Sequence, residues 1–314
     1  MTEGNDTAIM EFTLLGLSHQ PELQPLLFLA FLAIYLLILM GNALVVIATM
    51  SDPALHTPMY FFLRNLAFLE ICYTSVTIPK MLANLLLETK TISFSGCAVQ
   101  MYFFLSLGTA VCYLLAIMSY DRYLAICNPL LYTALMSRRL CLLLVLACWV
   151  AGMSVSLGQT ALIFSMPFCG SNIINHFFCD VPPLVKLLCL DSYVNEVEKV
   201  LMSILVIIVP FALILVSYIH IAAAIWRIPA LDEKRKAIST CSSHLVSVSL
   251  FYGSAMFIYL RPNSGYTPGV DKLFSLLYTV APAMLNPVIY SLRNQQVKGA
   301  LRKVLDRHTA SRNM

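Results

Sequence analysis

This sequence is short of charge. Only 11% of its 314 residues are Asp, Glu, Lys or Arg, whereas 59% are hydrophobic; soluble domains carry about 25% charge. A soluble core of this length cannot hide so much apolar surface, which excludes an ordinary globular enzyme and makes the bilayer the natural solvent. The net charge of +4 is small and gives no reason to expect a nucleic-acid partner. The first 25 residues contain no Lys or Arg. With a polar, acidic start in place of a basic and apolar one, no cleavable signal peptide is legible, and the first apolar run is expected to act as its own insertion signal.

Seven stretches are long and apolar enough to cross a bilayer, which takes about 20 residues of helix. They run from Leu26 to Met50, Pro58 to Leu87, Thr91 to Tyr120, Leu140 to about Phe164, Val200 to Trp226, Ala237 to Leu260, and Leu273 to Leu292. The expected fold is an all-α membrane protein, a seven-helix bundle over residues 26–292. An outer segment (1–25) precedes it and an inner tail (293–314) follows it. Placing the N-terminus outside puts 14 basic residues on the inner side and 6 on the outer side, the bias that orients such chains. A multi-pass plasma-membrane protein with an extracellular N-terminus is therefore expected. Asn5, in Asn5-Asp6-Thr7, is the chain's Asn-x-Ser/Thr acceptor and falls on that outer segment, so it is a candidate glycosylation site.

Among ten cysteines, Cys97, Cys169, Cys179 and Cys189 fall at the outer end of the third span and in the loop after the fourth. An oxidising compartment favours disulfides there, and four cysteines allow three pairings. Their spacing matches no common zinc pattern. Cross-linking would pin the long loop from about Met166 to Lys199 over the bundle, either as a lid on a cavity or as a folding staple. The other six cysteines are expected to be free thiols.

Polar residues inside the membrane are costly and so informative. Glu70 lies mid-span in the second helix. Asn42 and Asn286 can face the same interior, either as a sodium or water site or as a hydrogen-bonded knot. The third span ends in Asp121-Arg122-Tyr123, either a switch that presents Arg122 to an inner partner or an anchor that snorkels to the interface. Pro79, Pro210, Pro282 and Pro287 are candidate kinks. Val297, Leu301, Val304 and Leu305 share one face of a stretch whose other face is basic, the pattern of a short helix lying on the inner membrane surface. No internal repeat or charge-lined path favours a transporter or channel, and no nucleophile–base pair or membrane zinc motif favours an enzyme.

Taken in order, the motifs resemble the odorant-receptor branch of the rhodopsin-like G-protein-coupled receptors. They are Gly41-Asn42, Leu55 to Leu63, Met118 to Cys127 (with Ser119 for the usual Ala), Ser217-Tyr218, Lys236 to Leu245 (with Ile238 for the usual Phe), and Pro282 to Asn294. The resemblance covers nearly the whole chain and is closer to the tetrapod-type class II than to the fish-like class. It implies disulfides Cys97–Cys179 and Cys169–Cys189. It implies coupling to a stimulatory olfactory G protein that raises cyclic AMP, with Asp121, Arg122, Tyr123, Tyr218, Asn286, Pro287 and Tyr290 serving activation. Val111 stands where many relatives carry a second acid, which weakens the case for sodium at Glu70.

The resemblance also implies a set of ligand contacts. These are Phe104, Leu105, Gly108, Thr109 and Cys112 in the third span and Met202, Ser203 and Val206 in the fifth. Tyr252, Ala255, Met256 and Tyr259 follow in the sixth, and Thr279 in the seventh. The set is mostly apolar, with hydroxyls and no fixed charge, so the expected ligand is a small, neutral, largely apolar volatile with one hydrogen-bonding group. A receptor of the same family that reads a metabolite outside the nose is the nearest alternative.

Overall fold

The computed structural model describes residues 10–17, 20–169, 171–189, 193–261, 267–293 and 299. Asn5 lies outside the described residues, as do the side chain of Tyr290 and, apart from Gly299, the expected surface helix over 294–305. In order, the elements are β1 (Glu11–Leu14), α1 (Gln24–Ser51), α2 (Pro58–Leu86), β2 (Thr91–Ser93), α3 (Phe94–Cys127), α4 (Pro129–Leu135), α5 (Arg138–Ser165), β3 (Ile173–Ile174), α6 (Val181–Val185), α7 (Tyr193–Ser203), α8 (Val209–Trp226), α9 (Leu231–Tyr259) and α10 (Pro268–Arg293). A π turn, Ile204–Ile208, joins α7 to α8 as one continuous span. Among the described residues, seven helices are long and apolar enough to cross a membrane. They are α1, α2, α3, α5, α7–α8, α9 and α10.

Local chemistry sets several of the helix starts. Pro58 opens α2 after an extended Thr57 (φ −100°, ψ 161°), as expected of the residue before a proline. Ser93 caps α3 by accepting from the Gly96 amide, and Ser137 caps α5 by accepting from that of Leu140. The Ser93 cap corrects the sequence reading of the third span: Thr91–Ser93 is strand, and the helix starts at Phe94. The fifth and sixth spans also begin earlier than hydropathy placed them, at Tyr193 and Leu231.

Backbone proximity fixes how α3 and α5 pack. A Cβ at Gly152 would lie 2.4 Å from the Ser106 carbonyl oxygen. Small residues let membrane helices approach this closely. Gly41 does the same for α1 and α10, where a Cβ would meet the Pro287 ring at 3.1 Å.

The π turn has a local cause. Its wider spacing pairs the Val209 amide with the Ile204 carbonyl. Leu205 would then need the amide of Pro210, which has none. Tyr113 on α3 fills the gap, its hydroxyl donating to the Leu205 carbonyl at 3.2 Å.

At one end of the bundle, here the lid face, a three-stranded sheet has the order β2-β1-β3. β1 is antiparallel to β2 and parallel to β3. Phe12 and Leu14 point inward from β1 and are fully buried with Met101, Ile163, Ile174 and Leu184. The loop after α5 is thus far from structureless: it contributes β3 and α6. Both disulfides form, Cys97–Cys179 tying it to α3 and Cys169–Cys189 closing it on itself. The remaining six cysteines are free.

Candidate functional site

Beneath the lid lies a cavity. Helical spacing brings Phe104, Leu105, Gly108, Thr109 and Cys112 to its α3 wall. Met202, Ser203 and Val206 line it from the fifth span, and Ala255 and Tyr259 from α9. Three expected contacts are elsewhere. Tyr252 is buried below the cavity, its hydroxyl donating to the Cys112 carbonyl at 2.8 Å. Met256 packs against the core. Thr279 is buried within α10 and is not on the wall.

Several wall residues were not anticipated. Tyr73 from α2 and Tyr278 from α10 reach the wall through an aromatic cluster. Tyr73 stacks on Phe104 at 4.8 Å, and Phe178 of the lid sits 4.5 Å from the same ring. Val181, Pro182 and Val185 show that the lid itself is part of the wall. Gln159, Glu198 and Lys199 also line it, so the expectation of a cavity without fixed charge is corrected. Glu198 and Lys199 precede the apolar part of the fifth span, so hydropathy stops short of them. Lys199 Nζ donates to the Arg261 carbonyl at 2.7 Å. Glu198 Oε1 is buried with no hydrogen-bond partner among the described residues.

The lid is docked by one buried carboxylate. Asp180 accepts from the Val181 amide at 2.8 Å, from the Tyr259 hydroxyl at 2.9 and 3.1 Å, and from the Tyr278 hydroxyl at 3.1 Å. Burial pushes its pKa up to about 6, against the pull of those donors. Nearby, His176 accepts a long contact from the Phe178 amide at Nδ1, 3.4 Å, so its Nε2–H donates to Ser275 at 3.1 Å. Burial first, and Lys272 second, hold its pKa down at about 3.

These two groups oppose one another across mild acid. Asp180's raised pKa stabilises the docked lid fully below its ordinary value of 3.8, and this is lost as pH rises through about 6. The depressed pKa of His176 stabilises it above 6.5, and this is lost as pH falls toward about 3. Asp180→Asn is therefore expected to melt at a lower temperature at pH 4.5 than at pH 6.5, and His176→Gln at a higher one, with wild type changing least. Melting curves of the purified proteins at the two pH values check this; identical pH responses of both variants would refute it.

Deeper in the bundle, Asn286 Nδ2 donates to Glu70, and Ser247, which the sequence reading missed, donates to Asn286. Asn42 Nδ2 instead donates to the carbonyls of Ile38 at 3.0 Å and Ala283 at 2.9 Å, joining α1 to α10. The second Glu70 oxygen is buried with no partner among the described residues. Val111 brings no second carboxylate and Asn286 is engaged at both ends. Asn42, Glu70 and Asn286 line one small buried space.

At the end of α3 away from the lid, Asp121 and Arg122 are both buried. They form no salt bridge with each other among the described residues. Asp121 accepts from the Tyr132 hydroxyl of α4 at 2.9 Å. Arg122, 7% exposed, does not snorkel to the interface. Tyr123 packs against Ile221, Ile225 and Cys241, and the ring of His220 lies 5.7 Å from its own. Tyr218 on α8 hydrogen-bonds His244 Nδ1 on α9 at 2.8 Å. This end therefore places Arg122, Tyr123 and Tyr218 where α3, α8 and α9 meet.

A seven-helix membrane bundle with a lidded apolar cavity at one end and a buried Asp-Arg pair followed by Tyr at the other has the architecture of a G-protein-coupled receptor. The olfactory receptor family model matches residues 31–308. Human olfactory receptor 10A5 is 54% identical over 314 residues, covering 100% of this chain and 99% of its own. Human olfactory receptor 10C1 is 53% identical over 303 residues, 96% of this chain and 97% of its own. Rat olfactory receptor 1f45 is 48% identical over 305 residues, 97% of each. The chain belongs to the olfactory receptor family, a non-enzymatic family of rhodopsin-like G-protein-coupled receptors.

Proposed function

We propose that this chain is an odorant receptor of the plasma membrane, its N-terminus outside, that binds a small, neutral, largely apolar volatile in the lidded cavity. Binding activates a stimulatory olfactory G protein and raises cyclic AMP. The observation that carries the reading is the cavity. It is enclosed by Phe104, Leu105, Val206, Phe251 and Ala255, roofed by a cross-linked lid, and set at the opposite end from Asp121-Arg122-Tyr123. Apolar walls with few polar groups fix the orientation of small ligands. The excess of Lys and Arg at the end away from the lid supports that end as cytoplasmic.

Glu198 supplies the polar group. Gln159 hydrogen-bonds the Glu198 side chain, while the buried Oε1 lacks a donor, a cost that a ligand donor relieves. An alcohol meets this better than an ether of the same shape. An ammonium is disfavoured by Lys199 on the same wall.

The test expresses the chain with the stimulatory olfactory G protein and reads cyclic AMP across a volatile panel that includes 1-alkanols of six to ten carbons and their methyl ethers. Alkanols are expected to be about tenfold more potent than their ethers, and Glu198→Ala is expected to erase that gap. Equal potency in wild type would refute the role of Glu198. Silence to the whole panel with normal surface display would refute odorant detection, and a response to non-volatile metabolites alone would favour the receptor acting outside the nose.

A further inference from the structure

Where α1, α2 and α5 end away from the lid, a second cavity of about 320 Å³ opens between them. The Leu55-His56-Thr57-Pro58 motif forms part of its wall, a stretch that neither the ligand cavity nor the switch at Arg122 uses. Its polar side chains are Thr49, His56, Thr57, Tyr60, Arg64 and Arg138, and no carboxylate lines it among the described residues. Arg64 is half-buried, its guanidinium 5.2 Å from the centre of the Phe61 ring. Arg138 is exposed. The salt bridge found among the described residues is Arg261–Asp271, at the other end of the molecule, so neither arginine is paired with an acid there. The Thr57 side chain does not cap α2.

An unneutralised pair of guanidinium forks, with a hydroxyl and an imidazole beside them, is a recognition set for phosphate. The remaining walls argue against a free ion as the occupant. They are apolar and continue onto the outer surface of α5, where Leu142 is 52% exposed, Leu146 57% and Val150 62%. That surface faces the bilayer if the chain spans it as proposed. A free phosphate has no use for such a wall, but acyl chains do. The basic side of the bundle is also the side facing the leaflet that carries anionic lipids, and basic pockets between spans hold phosphorylated headgroups there.

We propose that this cavity binds the phosphorylated headgroup of an anionic phospholipid. Arg64 and Arg138 engage the phosphate, Thr57 and His56 complete the polar wall, and the acyl chains lie along Leu142 and Leu146. The site is separate from the ligand cavity and does not depend on which ligand that cavity takes.

The experiment uses the full chain, purified and placed in phosphatidylcholine nanodiscs. Dioctanoyl phosphatidylinositol 4,5-bisphosphate, dioctanoyl phosphatidylcholine, inositol trisphosphate and inorganic phosphate are offered separately, and bound species are counted by native mass spectrometry. The anionic lipid is expected to be retained about tenfold over phosphatidylcholine. In the Arg64→Gln, Arg138→Gln double variant the preference is expected to fall to about twofold or less, while the Arg64→Lys, Arg138→Lys variant keeps most of it. No preference in wild type, or an undiminished preference in the Gln variant, would overturn the proposal. Inositol trisphosphate or inorganic phosphate binding as tightly as the lipid would also overturn it, by assigning a free phosphate. Should the Gln variant not fold, the four wild-type arms decide alone.

Discussion

Replacing Gly152 with alanine is expected to remove most of the receptor from the cell surface. The added methyl would sit 2.4 Å from the Ser106 carbonyl oxygen on α3. That atom is backbone, so no side chain can rotate out of the way. The two helices must separate along their shared seam, where Ser156 and Thr160 are also buried. Overpacking in a core costs about 1–3 kcal/mol, and an obstacle that cannot move puts this case at the upper end. Gly158 on the same helix is the control, since a Cβ there meets nothing within 4 Å. Its alanine variant gains about 0.8–1 kcal/mol of helix propensity and is expected to display normally. Flow cytometry of epitope-tagged receptors separates the two; a Gly152→Ala variant displayed like wild type would mean that α3 and α5 do not pack this closely.

Arg122→Ala is expected to cut ligand-evoked cyclic AMP by at least about tenfold while leaving surface display intact. Arg122 is buried where α3 meets α8 and α9, and no carboxylate pairs with it among the described residues. Asp121 attracts Arg122 only through space, and burying a guanidinium without a direct ion pair is unfavourable, so a state in which α9 moves aside and Arg122 meets a G protein relieves that cost. Truncation removes the reward for reaching that state without harming the resting one. Cyclic AMP measured at matched surface levels checks this, with Arg122→Lys expected to recover part of the signal. A fully responsive Arg122→Ala receptor would make the residue a packing element only.

The spans were legible because each is a long run with little charge, and a single continuous apolar segment of about 20 residues pairs its own backbone in lipid as a helix. Their ends were less so. Thr91–Ser93 continues the apolar run of the third span without a break, and only the pairing with Glu11–Leu14 makes it strand. Leu231 to Lys236 is charged, so hydropathy excluded it from the sixth span although it is helical. The same division holds in the cavity. The resemblance supplied Leu105, Gly108, Thr109 and Cys112, and their spacing along α3 agrees with it, because one helix face is a local property. Tyr73, Gln159 and Val185 come from elements whose approach depends on tertiary packing. Tyr252 sits on α9 one turn below Ala255 but spends its hydroxyl on the Cys112 carbonyl, a partner 140 residues away in sequence.

The sheet on the lid face also bears on the order in which the molecule can be built. β1 leaves the ribosome before any helix, yet its two edges need β2, which follows α2, and β3, which follows α5. The earliest strand made is therefore completed only after four spans exist, and Phe12 and Leu14 must wait exposed until then. During that interval the strand offers two open edges and two apolar side chains to whatever is nearby. Closure of the sheet is thus a late checkpoint in biogenesis, one that registers whether the first half of the bundle has assembled before the cavity beneath it is sealed.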